Sequence, residues 1–161
     1  MQGAGPTSPL VGKAVGVEGV VTATFQGAGG LNGYTLQDAG DGNSATSDGI
    51  FIFAPGGEAV AVGNVVNVAG SVVEFASAGG SVTQIEASDI DVCEQVAPVP
   101  APIPVTLPAS TEVRESLEGM SVTFPQSLAI LEQFEYARYG IVDVGVTRQM
   151  TPTAVAEPGY G

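Results

Sequence analysis

The densest group of oxygen donors in the sequence is the run Asp38-Ala39-Gly40-Asp41-Gly42-Asn43-Ser44-Ala45-Thr46-Ser47-Asp48-Gly49. Calcium takes about six to eight oxygens from carboxylates, amides, carbonyls and water, and Asp38, Asp41, Asn43 and Asp48 offer the first two kinds on a glycine-rich loop. The spacing departs from an EF-hand, because no glutamate stands at the twelfth position. Two readings stay open: a calcium loop on those four residues, or a solvated loop of turn formers. A second group is aromatic. Tyr34, Phe51 and Phe53 lie on short apolar runs, where rings on a strand surface can stack nucleic-acid bases. The same rings can also fill a core, since Phe51 and Phe53 share one face of their strand.

Much other chemistry is excluded outright. The chain has no histidine, so it can form no Ser-His-Asp or Cys-His nucleophile, no imidazole zinc site and no phosphodiesterase centre that needs a histidine acid or base. Cys93 is the single cysteine, which rules out an internal disulfide and any CxxC site. It reads as a small apolar residue at a strand end, or, in a secreted protein, as half of a bridge to another chain. Glu115 with Glu118 and Glu132 with Glu135 are spaced carboxylates without clustered arginine or histidine, and they read as surface rather than as a hydrolase pair. Arg138-Tyr139-Gly140 sets a cation beside an aromatic at a flexible joint, and reads as a strand start or as a contact with a neighbouring domain.

The elements that must position these residues are strands. At 161 residues, with 23 glycines and 11 prolines, the chain holds one ordinary domain, or a small one and part of another. Its 44% apolar and 13% charged residues are those of a folding chain rather than a disordered polyelectrolyte. Residues 11–25 alternate as one long strand, with Gly16 and Gly19 marking a bulge or bend. A glycine-rich turn ending in Asn32-Gly33 leads to a strand over 34–37, and the acidic loop leads to another over 50–53. Pro55-Gly56-Gly57 ends it, and the 58–62 connection is too short for a helix. Strands over 65–75 and 81–93 follow, the last bent near Ala87. The reading is an all-β, OB-fold-like five-stranded barrel over residues 10–95.

Residues 96–109, with prolines at 98, 100, 102, 104 and 108, read as a semi-rigid extended linker. Residues 110–155 read as a smaller strand-rich unit. At a constant offset, Leu117, Gly119, Val122, Leu128 and Gly140 echo Leu10, Gly12, Val15, Val21 and Gly33. Too few strands remain there to close a second barrel, so the unit packs on the first or continues into further chain. No apolar run is long enough to span a membrane, and the first residues, MQGAGP, do not read as a signal peptide.

Electrostatics bear directly on partners. The net charge is −13, from 17 acidic and 4 basic residues, and ahead of Arg114 stand 11 acids and one lysine, Lys13. Such a barrel has no basic groove, so nucleic acid is expected to bind weakly or through a bridging divalent ion.

In order along the chain, Gly16-Val17-Glu18-Gly19-Val20-Val21-Thr22, Gly33-Tyr34-Thr35-Leu36-Gln37-Asp38, Gly42-Asn43 with Thr46-Ser47-Asp48-Gly49-Ile50-Phe51, Val62-Gly63, Val68-Ala69-Gly70, and Glu74-Phe75 with Thr83-Gln84-Ile85 resemble the OB-fold-like domain of bacterial extracellular nucleases. Those enzymes place it ahead of a catalytic domain of the endonuclease/exonuclease/phosphatase superfamily. Leu117-Glu118-Gly119-Met120, Phe124-Pro125, Arg138-Tyr139-Gly140 and Gln149-Met150-Thr151-Pro152-Thr153 look like the segment joining the two. The resemblance implies a secreted or surface-bound nuclease that uses magnesium or manganese in its catalytic domain. This histidine-free chain would then be a noncatalytic accessory to that downstream domain. It also favours the calcium reading of the acidic loop. The competing expectation is a structural or adhesive β-module of a bacterial surface protein, stiffened by calcium.

Overall fold

The computed structural model describes residues 2–3, 5–77 and 80–148. Its regular structure is mostly strand, with almost no helix, and the main elements are β1 (Ala14–Thr24), β2 (Gly33–Gln37), β3 (Gly49–Phe53), β4 (Asn64–Ser77) and β5 (Gly80–Val96). These five close into a ring of order β1-β2-β3-β5-β4, the arrangement expected of an OB-fold-like barrel. Closure depends on the length of β1. Its first half pairs antiparallel with β4, from Ala14↔Ser71 to Val20↔Val65, and its second half with β2, from Val20↔Gln37 to Thr24↔Tyr34. β3 and β5 complete the ring as a parallel pair, Phe51↔Gln84 to Phe53↔Glu86.

The irregularities fall partly where the sequence placed them. Gly16 and Gly19 stay in unbroken register with Ala69 and Val66, and the bulge in β1 lies instead between Val21 and Ala23. Thr22 is the extra residue, and its hydroxyl meets that of Thr35 at 2.8 Å. The expected bend in β5 is present. Ala69 pairs with Asp89 but Gly70 with Ala87, so Ser88 is left over, and its hydroxyl donates to Ala69 O at 3.2 Å. Such an extra residue bends and twists its strand. The connection from β3 to β4 has no helix; Gln26 ties it down, donating to Glu58 O and accepting from Val60 N.

Strand alternation fills the ring. Val21, Tyr34, Leu36, Ile52, Val66, Val68, Val72 and Ile85 are fully buried and form one core. Burying each aliphatic side chain is worth about 1.5–3 kcal/mol, so this layer dominates stability.

The extended proline-rich segment is paired over part of its length. β6 (Ile103–Pro104) pairs in parallel with β7 (Val122–Thr123). Ile103 N donates to Ser121 O at 2.9 Å and Val105 N to Thr123 O at 2.8 Å. The donors are the non-proline residues on either side of Pro104, so the missing proline N–H falls where no ladder bond is needed. Gln126 fixes the next stretch by bonding both the N–H and the carbonyl of Leu107 at 2.8 Å. A short helix, α1 (Thr111–Glu115), is capped by the Ser110 hydroxyl and runs into a turn over 116–120. Beyond it, β8 (Ala129–Glu132) and β9 (Asp143–Gly145) form an antiparallel pair around α2 (Tyr136–Tyr139). Residues 149–155 of the expected unit, with the Gln149-Met150-Thr151-Pro152-Thr153 motif, lie outside the described residues.

The 116–121 turn packs on one end of the barrel. Ser47 Oγ donates to Glu118 O at 2.6 Å, and Ser121 N donates to the buried Gln37 side chain at 3.2 Å. A Cβ added at Gly49 would lie 2.5 Å from Gly119 O, so the two backbones meet without side chains between them. The echo of the chain start is real at this point and limited to it. Lys13 N bonds Leu10 O, and Met120 N bonds Leu117 O. Gly12 and Gly119 both take positive φ, 75° and 72°. One turn then enters an 11-residue strand and the other a two-residue strand.

Candidate functional site

Alternation on β3 turns Ile50 and Ile52 inward and Phe51 and Phe53 outward, where both are half-buried. The antiparallel register Thr35↔Phe51 puts Thr35 and Gly33 on that outer surface and sends Tyr34 and Leu36 into the core. Phe51 therefore lies across Gly33: a Cβ there would come 2.6 Å from Phe51 Cζ. Phe25, just after β1, sets its ring centroid 6.4 Å from that of Phe51, at 41° between planes, within the range of favourable tilted aromatic pairs. The result is an aromatic surface of Phe25, Phe51 and Phe53 on the outside of β2–β3, the face by which OB-folds hold extended ligands.

Tyr34 does not belong to it. Its side chain is wholly buried, so its ring has no face free for a base. The hydroxyl has no hydrogen-bond partner among the described residues, and burial pushes its pKa up from 10.0 to about 12. Sequence reasoning also passed over Phe25. Its signal was its position, one residue beyond a strand that pairs with β2, and that pairing is a long-range fact.

The acidic loop is organised by its own side chains. Asp38 N bonds Asp48 O at 3.1 Å and closes it. Gly40 N donates to Asp38 Oδ1 at 2.7 Å, Asn43 N to Asp41 Oδ1 at 2.7 Å, Ala45 N to Asn43 Oδ1 at 3.1 Å, and Asp41 N to Asp48 Oδ1 at 3.4 Å. These are side-chain caps on successive tight turns, the usual work of Asp and Asn in loops. Among the described residues, no three His, Cys, Asp or Glu side chains gather closely enough to hold a metal ion. The four loop residues supply suitable hard oxygens, and each already holds a backbone N–H of the loop with one of them.

Cys93 is half-buried within β5 as a free thiol whose Sγ accepts from Asn67 Nδ2 at 3.4 Å. Glu132 caps the turn after β8 by accepting from Gln133 N and Phe134 N, and Glu118 reaches the barrel end rather than a cleft with Glu115. Arg138, Tyr139 and Gly140 form the end and cap of α2 rather than a strand start. No helix among the described residues is long and apolar enough to cross a membrane. Compared with known protein families and with characterised proteins, the sequence matches none closely enough to be assigned to a family.

Proposed function

We propose that the chain is a noncatalytic OB-fold-like accessory module of an extracellular, divalent-metal-dependent nuclease, which helps present nucleic acid or seat the catalytic domain that follows it. The observation that supports this reading is the outward aromatic surface of Phe25, Phe51 and Phe53 on β2–β3, in a chain with no histidine. Stacking on such rings is tolerant of base identity, and each stacked base contributes about 1–3 kcal/mol. The acidic barrel offers no cationic groove to add to it, so contact is weak and is strengthened by magnesium bridging phosphate to carboxylate.

The test is fluorescence anisotropy of a labelled single-stranded oligonucleotide with the purified chain, with and without magnesium. Weak binding that Phe51→Ala lowers by about tenfold, equivalent to ~1.4 kcal/mol of lost stacking, is the expected result. Binding unaffected by Phe51→Ala, or no binding at all, removes nucleic-acid handling from the proposal. The same preparation should not cut DNA or RNA, and metal-dependent cleavage by it would overturn the accessory role.

A further inference from the structure

The turn that packs on the barrel end carries a carboxylate to a place that already holds one. Thr83, buried in β5, donates its backbone N–H to Glu118 Oε1 at 2.7 Å and its hydroxyl to Glu74 Oε1 at 2.7 Å. Glu74 Oε1 also accepts from Ser8 N at 2.8 Å, while Glu74 Oε2 is buried with no hydrogen-bond partner among the described residues. Two acidic side chains from segments far apart in sequence thus converge on one threonine.

Among the described residues, no cation is paired with either carboxylate. β4 contributes Glu74, α1 contributes Glu115, and both raise the pKa of Glu118 by repulsion. β5 presents Thr83, the end of β2 presents Gln37 and the start of β3 presents Gly49, all neutral. In the loop before β3, Ser47 is neutral and Asp48 turns its Oδ1 to Asp41 N. Lys13 is exposed at the entry to β1. The Glu118 carboxyl is held above its ordinary 4.5 first by burial, then by Glu115 and Glu74, with the Thr83 N–H opposing.

We propose that Glu118, Glu74 and Thr83 form a proton-operated clasp between the C-terminal turn and the barrel, tighter when Glu118 carries a proton and looser when it is ionised. A proton on Glu118 removes its repulsion with Glu74 and Glu115 and leaves Oε1 free to accept from Thr83. The unfolded carboxyl titrates near its ordinary 4.5 and the docked one higher. The stabilisation is therefore complete below the unfolded value and is lost as pH rises through the docked one. The bonds from Ser47 and Ser121 do not titrate, so the turn loosens at neutral pH without leaving the barrel.

Carboxyl-carbon NMR titration of the whole chain tests this directly. Glu118 should titrate above 4.5, and Glu74→Gln should move its midpoint down. Amide-exchange protection at Ser121, corrected for intrinsic rate, should fall from mildly acidic to neutral pH. Glu118→Gln, which keeps the acceptor for Thr83, should abolish that fall, whereas Glu132→Gln, the same charge change on exposed β8, should leave it. A Glu118 midpoint at or below 4.5, or a fall in Ser121 protection that survives Glu118→Gln, overturns the clasp. The wild-type titration decides the matter even if a variant fails to fold.

Discussion

The barrel and the C-terminal segment are written in similar residues, yet they reach opposite states. In the barrel, strands of five to 17 residues share partners around a ring and bury one continuous core. After Val96 the strands are two to four residues long, and Val105 is the one buried hydrophobic side chain among the described residues. Ile130, Phe134 and Tyr136 stand 63%, 87% and 63% exposed. Apolar, β-branched composition is therefore not enough to make a core. A two-stranded ribbon has one partner per strand and leaves its faces in water, whereas ring closure gives every strand two neighbours and a shared interior.

The contrast predicts graded effects. Ile52→Ala removes a fully buried side chain from the ring and is expected to lose about 2–5 kcal/mol, read as a lower denaturant midpoint for the whole molecule. Gly49→Ala puts a Cβ 2.5 Å from Gly119 O and is expected to lose about 1–3 kcal/mol by overpacking. Because the clash is with the docked turn, amide exchange should accelerate at Ser121 while Ile52 stays protected; equal acceleration at both would mean that barrel and turn unfold as one unit.

Tyr34→Phe is expected to change stability in the other direction. Removing a buried hydroxyl without a described partner should stabilise the barrel by about 1 kcal/mol. The raised Tyr34 pKa favours the fold fully below the ordinary 10.0 and is lost as pH rises through about 12. Alkaline unfolding should accordingly shift to higher pH in Tyr34→Phe. Phe134→Ser, on the exposed ribbon, should change the melting temperature little, within about 0.5 kcal/mol. A large loss there would show that the ribbon packs against something. The smallest effect is expected from millimolar calcium, because the acidic loop is already held by its own turns. A rise in melting temperature that Asp41→Ala abolishes would show that the loop rearranges into a calcium site.

Local periodicity made the five strands legible, because side chains that alternate and glycine-rich turns are properties of adjacent residues. It also located the β5 bend near Ala87, but it misplaced the β1 bulge, where the extra residue is Thr22 and not a glycine. It also read the prolines of residues 96–109 as a linker. Counting prolines cannot show that Ile103 and Val105, between and beyond them, have partners at Ser121 and Thr123.

By itself, the sequence determined the strand inventory, the acidic surface and the absence of histidine chemistry, since each is a matter of composition or of neighbours along the chain. The tertiary structure decided which residues work together. Alternation gives a strand two faces without saying which will be inside, and only the Thr35↔Phe51 register sends Tyr34 inward while Phe51 stays on the surface beside Phe25. Glu74 and Glu118 likewise become neighbours only because ring closure and the docked turn bring both to Thr83.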